Sequence, residues 1–131
     1  MEKNLNEENK LNPEKFKKEI QERDSNNLYL LNEQKLTLDI ISYLEDKSIT
    51  INNRIIVIKY IFKCINNIPI NAEILISHKL KNKSLYHIII YEFVINYENK
   101  EYYNELKNLF SVLIRHISYN KSLYQYLISF I

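Results

Sequence analysis

The twelve residues LISHKLKNKSLY at 75–86 recur as LIRHISYNKSLY at 113–124. Eight of the twelve positions are identical, and the two copies are offset by 38 residues. A weaker third copy spans 40–49, ends in DKSI and lies 36 residues before its counterpart. Each copy holds the end of one predicted helix, a short polar turn and the start of the next. The sequence therefore predicts three antiparallel helical hairpins, which share one core when they are stacked.

The helices themselves are predicted from apolar residues at helical spacing. Thr50 and Asn71 are expected N-caps, and Pro69 prevents one helix from running into the next. The segment 85–97 is apolar nearly all round, which is typical of a central helix covered on two sides. The predicted helices span 33–45, 51–66, 72–80, 85–97 and 101–118, and a last helix begins at Ser122.

Composition excludes several functions. The 131 residues contain no Gly, so phosphate-binding loops, dinucleotide fingerprints and nucleophile elbows are absent. The lack of Gly also disfavours tight turns, and with them the alternative that the Ile-rich runs are strands. The net charge of +2 is far from the dense basic field of a nonspecific nucleic-acid binder. The abundance of Ile, Asn, Lys and Tyr is typical of an AT-rich genome. We expect a protein that is not an enzyme and holds no cofactor.

The first 27 residues are rich in Asn, Lys and Glu, and they are predicted to form a flexible charged arm. Within it, Asn12 is suited to cap a short helix that has Pro13 in its first turn. Phe16 and Ile20 then share one face of that helix. Residues 28–131 are predicted to form the helical-repeat domain, truncated or continued beyond its C-terminal end.

The period of 36–38 residues and the all-helical pattern resemble the armadillo and HEAT classes of α-solenoid. The resemblance covers residues 28–131 and rests on period and helix pattern alone. The Gly-marked turn of armadillo repeats and the Pro and Asp-Val-Arg signatures of HEAT repeats are missing. The resemblance implies an all-α fold of hairpins stacked as a short α-solenoid, and a scaffold that binds another protein without chemistry of its own. A compact helical bundle is the alternative architecture.

Two groups of residues are the candidate partner-binding sites. Lys59, Lys63, Tyr91 and Glu92 lie on the helices expected to line the inner surface of a solenoid. The last predicted helix ends without a polar residue, which favours a surface covered by another protein or by further repeats of the same chain. The candidates on that helix are Tyr124, Leu127, Phe130 and Ile131.

Other chemistry is disfavoured. His78 and His116 occupy equivalent repeat positions near helix ends, where interaction with the helix C-terminus explains them better than a metal site does. Cys64 is alone, so it forms no disulfide within the chain and is expected to be a small buried side chain.

Two alternative functions stay open. One is an RNA-binding or ribonucleoprotein-associated module that uses Lys59, Lys63 and the lysines of 79–83. The other is a helical-bundle inhibitor of host signalling of the kind that viruses encode. The apolar runs are too short to span a membrane, and the N-terminus has no signal-peptide pattern. A cytoplasmic location, or a nuclear one, is expected.

Overall fold

The computed structural model of the protein describes residues 11–117, without the side chains of residues 76 and 117. Within that part the chain forms six helices and one short β-hairpin, so the prediction of an all-α fold is confirmed. All five helices predicted between 33 and 118 occur there, whereas the helix predicted from Ser122 lies outside the described residues. In chain order the elements are α1 (Pro13–Ser25), α2 (Gln34–Glu45), α3 (Ile51–Asn67), α4 (Asn71–Ser77), β1 (Lys79–Leu80), β2 (Lys83–Ser84), α5 (Leu85–Ile95) and α6 (Lys100–Ile117).

The centre of the fold is α3. It begins at the predicted cap, where the Thr50 hydroxyl accepts a hydrogen bond from the backbone N–H of Asn53. It packs most extensively against α6 and also against α1 and α4. Its buried side chains point to more than one side of the helix, because the adjacent residues Val57 and Ile58 are both fully buried. An apolar surface this wide needs several neighbouring helices to cover it.

The prediction that the helix of 85–97 is central is wrong. That helix, α5, packs against α2, α4 and α6, but Tyr91 and Val94 on its outer side are 59% and 62% exposed. Apolar residues all round a helix normally indicate burial on every side. Here one side of the helix packs on the core and the apolar residues of the other side face solvent.

The closest helix pairs join different predicted hairpins. α2 lies against α5, and α3 lies against α6, which are not the pairs that the internal repeat predicts as partners. Solenoid stacking is therefore not confirmed, and the packing of several helices around α3 agrees with the alternative of a compact bundle. The repeat in the sequence marks where helices end and begin, and of the pairs that it predicts, α4 and α5 do contact each other.

The helix predicted for 72–80 is shorter than expected, because α4 ends at Ser77 and a β-hairpin follows. The strands pair Lys79 with Ser84 and Leu80 with Lys83. Lys81 and the next residue, Asn82, have φ angles of 51° and 67° and make the tight turn between the strands. Two successive positive φ angles are the requirement of the hairpin turn that Gly usually satisfies, and Asn tolerates it best among other residues. The inference that a chain without Gly lacks tight turns is wrong at this point.

The prediction of a flexible arm over 1–27 is wrong for residues 13–25, which form α1. Asn12 caps that helix as predicted, since its Oδ1 accepts a hydrogen bond from Lys15 N at 3.1 Å. Phe16 and Ile20 are buried, and the Phe16 ring lies 5.2 Å from that of Tyr43. Two large apolar side chains one helical turn apart are enough to hold a polar helix on the core. The domain therefore begins before residue 28, and residues 1–10 lie outside the described part.

Replacing Ile20 with Ala should lower the free energy of unfolding by about 3 kcal/mol, because the deletion leaves a cavity under α1. Urea denaturation followed by circular dichroism at 222 nm measures the loss. The control is Ile114→Ala on α6, where the side chain is 54% exposed, and it should cost less than about 1 kcal/mol. Equal effects of the two substitutions would mean that α1 does not dock in solution.

Asn71 is buried and connects three segments instead of capping α4 as predicted. Ile70 is the N-cap residue, and Asn71 is already helical. Its Oδ1 accepts a hydrogen bond from Leu31 N at 2.9 Å, while its Nδ2 donates to the carbonyls of Tyr29 at 2.7 Å and Cys64 at 2.8 Å. The side chain thus fastens the extended segment before α2 to the end of α3, and satisfies backbone groups that burial would otherwise leave unpaired.

The substitution Asn71→Ala should destabilise the fold by about 3 kcal/mol, since it leaves buried backbone groups without partners. Thermal unfolding by circular dichroism is the measurement. Asn66→Ala, at an exposed position near the end of α3, is the control and should leave the melting temperature within about 2 °C. A melting temperature unchanged by Asn71→Ala would contradict the bridging role.

Candidate functional site

Arg54, near the start of α3, is buried with its guanidinium against the connection between α2 and α3. Its Nη1 donates to the carbonyl of Leu44 at 2.5 Å and its Nη2 to that of Asp46 at 2.6 Å. Its Nε donates to the carbonyl of Ile49 at 3.1 Å. Three carbonyls on one side chain fix the path of this connection, because a guanidinium presents its donors in a rigid plane.

Glu92 of α5 is 4% exposed and is the acidic partner of Arg54. Its Oε1 accepts a hydrogen bond from Arg54 Nη1 and another from the hydroxyl of Tyr102, at 2.9 Å in the latter case. Asn96 Nδ2 lies 3.4 Å from the second carboxylate oxygen, Oε2. Burial and the negative charge of Glu92 raise the pKa of Tyr102, so its hydroxyl keeps the proton that it donates.

These four side chains, Arg54, Glu92, Asn96 and Tyr102, form what we call the Arg54 network. Through backbone carbonyls and side chains it joins the α2–α3 connection to α3, α5 and α6. A buried ion pair adds little net stability compared with apolar residues of the same volume, but removal of one partner leaves an uncompensated charge. The network therefore acts as a fixed frame, and its charges are already neutralised by one another.

A cavity of about 1050 Å³ lies directly beside the network. Arg54 and Glu92 form part of its wall, the α2–α3 connection forms one side and α5 forms the other. Its volume is at the upper end of the range that ligand-binding clefts occupy. The apolar side chains on its wall are Leu44, Ile49, Ile51, Ile88, Tyr91 and Ile95.

The cavity is continuous with an exposed apolar surface on α5. Tyr91, Val94 and Ile95 are 59%, 62% and 49% exposed, and the latter two lie three and four residues after Tyr91. Residues at these spacings lie on one side of a helix, so the three form a single surface, which we call the α5 face. Because Tyr91 and Ile95 also line the cavity, the α5 face and the cavity make one continuous site.

His87, in the first turn of α5, also lines the cavity. Its Nδ1 accepts a hydrogen bond from Ser84 N at 3.2 Å, which completes a capping box at the start of α5. Partial burial and the charges of Lys79 and Lys83 lower the pKa of His87. The imidazole therefore serves as a neutral acceptor within the helix cap.

Of the predicted residues that the structure describes, Tyr91 and Glu92 lie at this site and Lys59 and Lys63 do not. Tyr91 is exposed on the α5 face, as a partner-binding residue must be, whereas Glu92 is almost wholly buried in the Arg54 network. Lys59 and Lys63 belong to another side of α3. Lys59 Nζ lies 3.9 Å from Glu105 Oε1 of α6. Lys63 Nζ lies 3.0 Å from Asp24 Oδ2 of α1.

The ammonium group of Lys63 and the carboxylate of Asp24 form a hydrogen-bonded ion pair. Burial raises the pKa of Asp24, but hydrogen bonds from Lys63 and Tyr29 outweigh it, so that the pKa lies below its usual value. The same hydrogen bond raises the pKa of Lys63. Lys63 is thus a surface ion-pair residue that helps to hold α1 against α3.

The remaining predicted partner-binding residues are near the C-terminal end of the sequence. Tyr124, Leu127, Phe130 and Ile131 lie outside the described residues.

The two repeat-related histidines differ in local structure. His78 caps the end of α4 in an extended conformation, with its Nδ1 3.0 Å from the hydroxyl of Thr37, whereas His116 is in the last turn of α6.

Cys64 is fully buried within α3, as expected, and burial raises its thiol pKa to about 12. A thiol in that state is neither a nucleophile nor a metal ligand at neutral pH. Among residues 11–117, no three His, Cys, Asp or Glu side chains are grouped closely enough to hold a metal ion.

Arg54 was not among the residues predicted from the sequence, although one signal points to it. The chain has fifteen Lys and only three Arg, and Arg54 directly precedes the apolar run of α3. In a chain whose composition favours Lys, an Arg on the apolar stripe of a helix indicates a buried site that needs several fixed donors.

Comparison with protein-family models, with curated proteins and with solved structures finds no match for this chain. The resemblance to armadillo and HEAT repeats therefore stays a prediction. No helix within residues 11–117 combines the length and apolar character that crossing a membrane requires.

The substitution Glu92→Ala should lower the free energy of unfolding by about 3 to 5 kcal/mol, because the guanidinium of Arg54 stays buried without its counter-charge. The double variant Arg54→Met/Glu92→Leu should recover part of that loss, since neither charge is left unpaired, although the backbone carbonyls that Arg54 holds lose their donor. Urea denaturation of the three chains measures both effects.

The matched control is Glu98→Ala, an acid-to-alanine change at an exposed position just beyond α5, which should cost less than about 0.5 kcal/mol. A loss in Glu92→Ala no larger than in this control would contradict the burial of the ion pair. A double variant less stable than Glu92→Ala would show that the carbonyl contacts of Arg54 matter more than its charge.

Proposed function

We propose that this protein is a non-enzymatic helical module that binds a segment of another protein at the α5 face and its adjoining cavity. The observation that supports the proposal is the exposure of Tyr91, Val94 and Ile95 side by side on one helix. Contiguous exposed apolar surface carries a cost in solubility, and on soluble proteins it typically marks an interaction site.

The residue types at the α5 face agree with this role. Tyr supplies a large contact area with few rotatable bonds, and it is enriched among the residues that dominate binding energy. The aliphatic side chains beside Tyr91 add surface whose removal from water stabilises a complex. The cavity next to them offers depth, into which an anchoring side chain of a partner fits.

The rigidity of the site supports binding without large rearrangement. One wall is the α2–α3 connection, whose carbonyls are held by Arg54, and the other is α5, which Glu92 ties to the same guanidinium. A site held in its binding conformation avoids the entropic cost of ordering on association. The Arg54 network thus serves binding by positioning the walls of the cavity rather than by touching the partner.

The alternative of RNA binding has less support from the contacts of the basic residues. Lys59 lies near Glu105 and Lys63 is bonded to Asp24, so their charges are partly neutralised. The lysines of residues 79–83 lie on the β-hairpin and not on α3 with Lys59 and Lys63. A helical scaffold and an inhibitor of host signalling differ in the identity of the partner, and both require a protein-binding surface such as the α5 face.

A peptide selection tests the proposal. A displayed library of random 16-residue peptides is selected against the full 131-residue chain, and the affinities of the enriched peptides are measured by fluorescence anisotropy. In the variant Tyr91→Ser/Val94→Ser, we expect affinity to fall at least about tenfold, which corresponds to 1.4 kcal/mol of lost contact energy.

The control variant is Leu28→Ser/Leu30→Ser, which makes the same kind of change at two exposed residues before α2. It should leave the affinity unchanged. Peptides that bind both variants equally well would sink the proposal, as would the absence of any enriched peptide. Tight binding of a random single-stranded RNA pool, with a steep loss of affinity as salt rises, would favour the RNA-binding alternative instead.

A further inference from the structure

The cavity beside the α5 face is chemically different at its two ends. Tyr91 and Ile95, late in α5, join it to the exposed apolar surface, whereas Lys83 lines it just before the start of α5 and Lys47 lines it from the α2–α3 connection. A ligand that lies along the cavity therefore meets apolar side chains first and charged side chains at the far end. An elongated ligand with one apolar end and one anionic end therefore has a preferred orientation in the cavity.

The charges at the far end are mainly positive. The two connections that bound it, residues 45–50 and 79–84, contain four lysines and two acids. Glu45 lies 3.7 Å from Lys83, and the carboxylate of Asp46 accepts hydrogen bonds from the N–H and the hydroxyl of Ser48. Asp46 keeps its charge, and Glu45 offsets that of Lys83. Of these six charged residues, Lys47, Lys83 and Glu45 line the cavity itself, so positive charges outnumber negative ones there.

Lysines of the β-hairpin also act on His87, which lines the cavity. Besides its partial burial, the charges that lower its pKa are those of Lys79 and Lys83. The other ion pair on the wall, Arg54 with Glu92, is neutral as a unit. An anionic group that enters from the α5 face therefore gains favourable electrostatic energy as it approaches Lys47 and the hairpin.

We infer that the segment bound at the α5 face carries an Asp or Glu side chain next to its apolar anchors, and that this carboxylate lies beside Lys47 and Lys83 in the cavity. The inference rests on the proposed protein-binding function and names the chemistry of the partner. Apolar anchors on the α5 face give affinity, while the carboxylate fixes the direction in which the segment lies.

The test uses acidic peptides from the same library, each paired with a twin in which Asp is replaced by Asn and Glu by Gln. Against the unaltered protein, the amide twin should bind about fivefold more weakly, the size expected of a partly exposed ion pair. Against Lys47→Glu the preference should vanish or reverse. Lys107→Glu, the same change at an exposed position on α6, should leave the preference intact.

Repeating the selection against Lys47→Glu gives a second readout, because it should enrich Lys or Arg where the original selection enriches acids. Peptides that need the α5 face yet show no acidic preference would overturn this inference and leave the proposed function standing. The same holds for an acidic preference that Lys47→Glu does not change. The absence of any peptide that depends on Tyr91 and Val94 would overturn both.

Discussion

The guanidinium of Arg54 is the group on which the arrangement of the fold depends. It holds the carbonyls of Leu44, Asp46 and Ile49 on one side and the carboxylate of Glu92 on the other. Without it, a connection of five residues between two helices would have to satisfy its own carbonyls beside an apolar core. One side chain thus sets where α2 ends, where α3 begins and how close α5 approaches. Because the guanidinium contacts both walls of the cavity, it fixes their positions relative to each other.

Polar side chains take over tasks that small residues perform in most folds. Lys81 and Asn82 make the tight turn of the hairpin, Asp46 and Ser48 shape the turn after α2, and Asn71 joins the segment before α2 to the end of α3. Apart from Lys81, each of these positions uses a side-chain hydrogen bond or the tolerance of Asn for positive φ. A chain without Gly is therefore not restricted to gentle connections, provided that Asn and Asp stand at its turns.

The helices were predictable because apolar spacing and capping residues are local signals. α2, α3 and α6 begin and end within two residues of the predicted limits, and α1 is capped by Asn12 as expected. The docking of α1 was not predictable from its polar composition, because two buried side chains decide it. The site was only half predictable: Glu92 stands out as an acid in an apolar helix, but its partner is 38 residues away in the chain. Pairing at that distance depends on how helices pack, and the internal repeat points to other helix pairs.

The burial of Cys64 has a consequence for following the motions of the protein. The thiol lies in the last turns of α3, the helix that packs against α1, α4 and α6, and with a pKa of about 12 it is almost wholly protonated at neutral pH. A thiol reagent therefore modifies it only when α3 separates from its neighbours and exposes the sulfur to water. The rate at which a reagent modifies Cys64 therefore reports how often the core around α3 opens, without any label added to the chain.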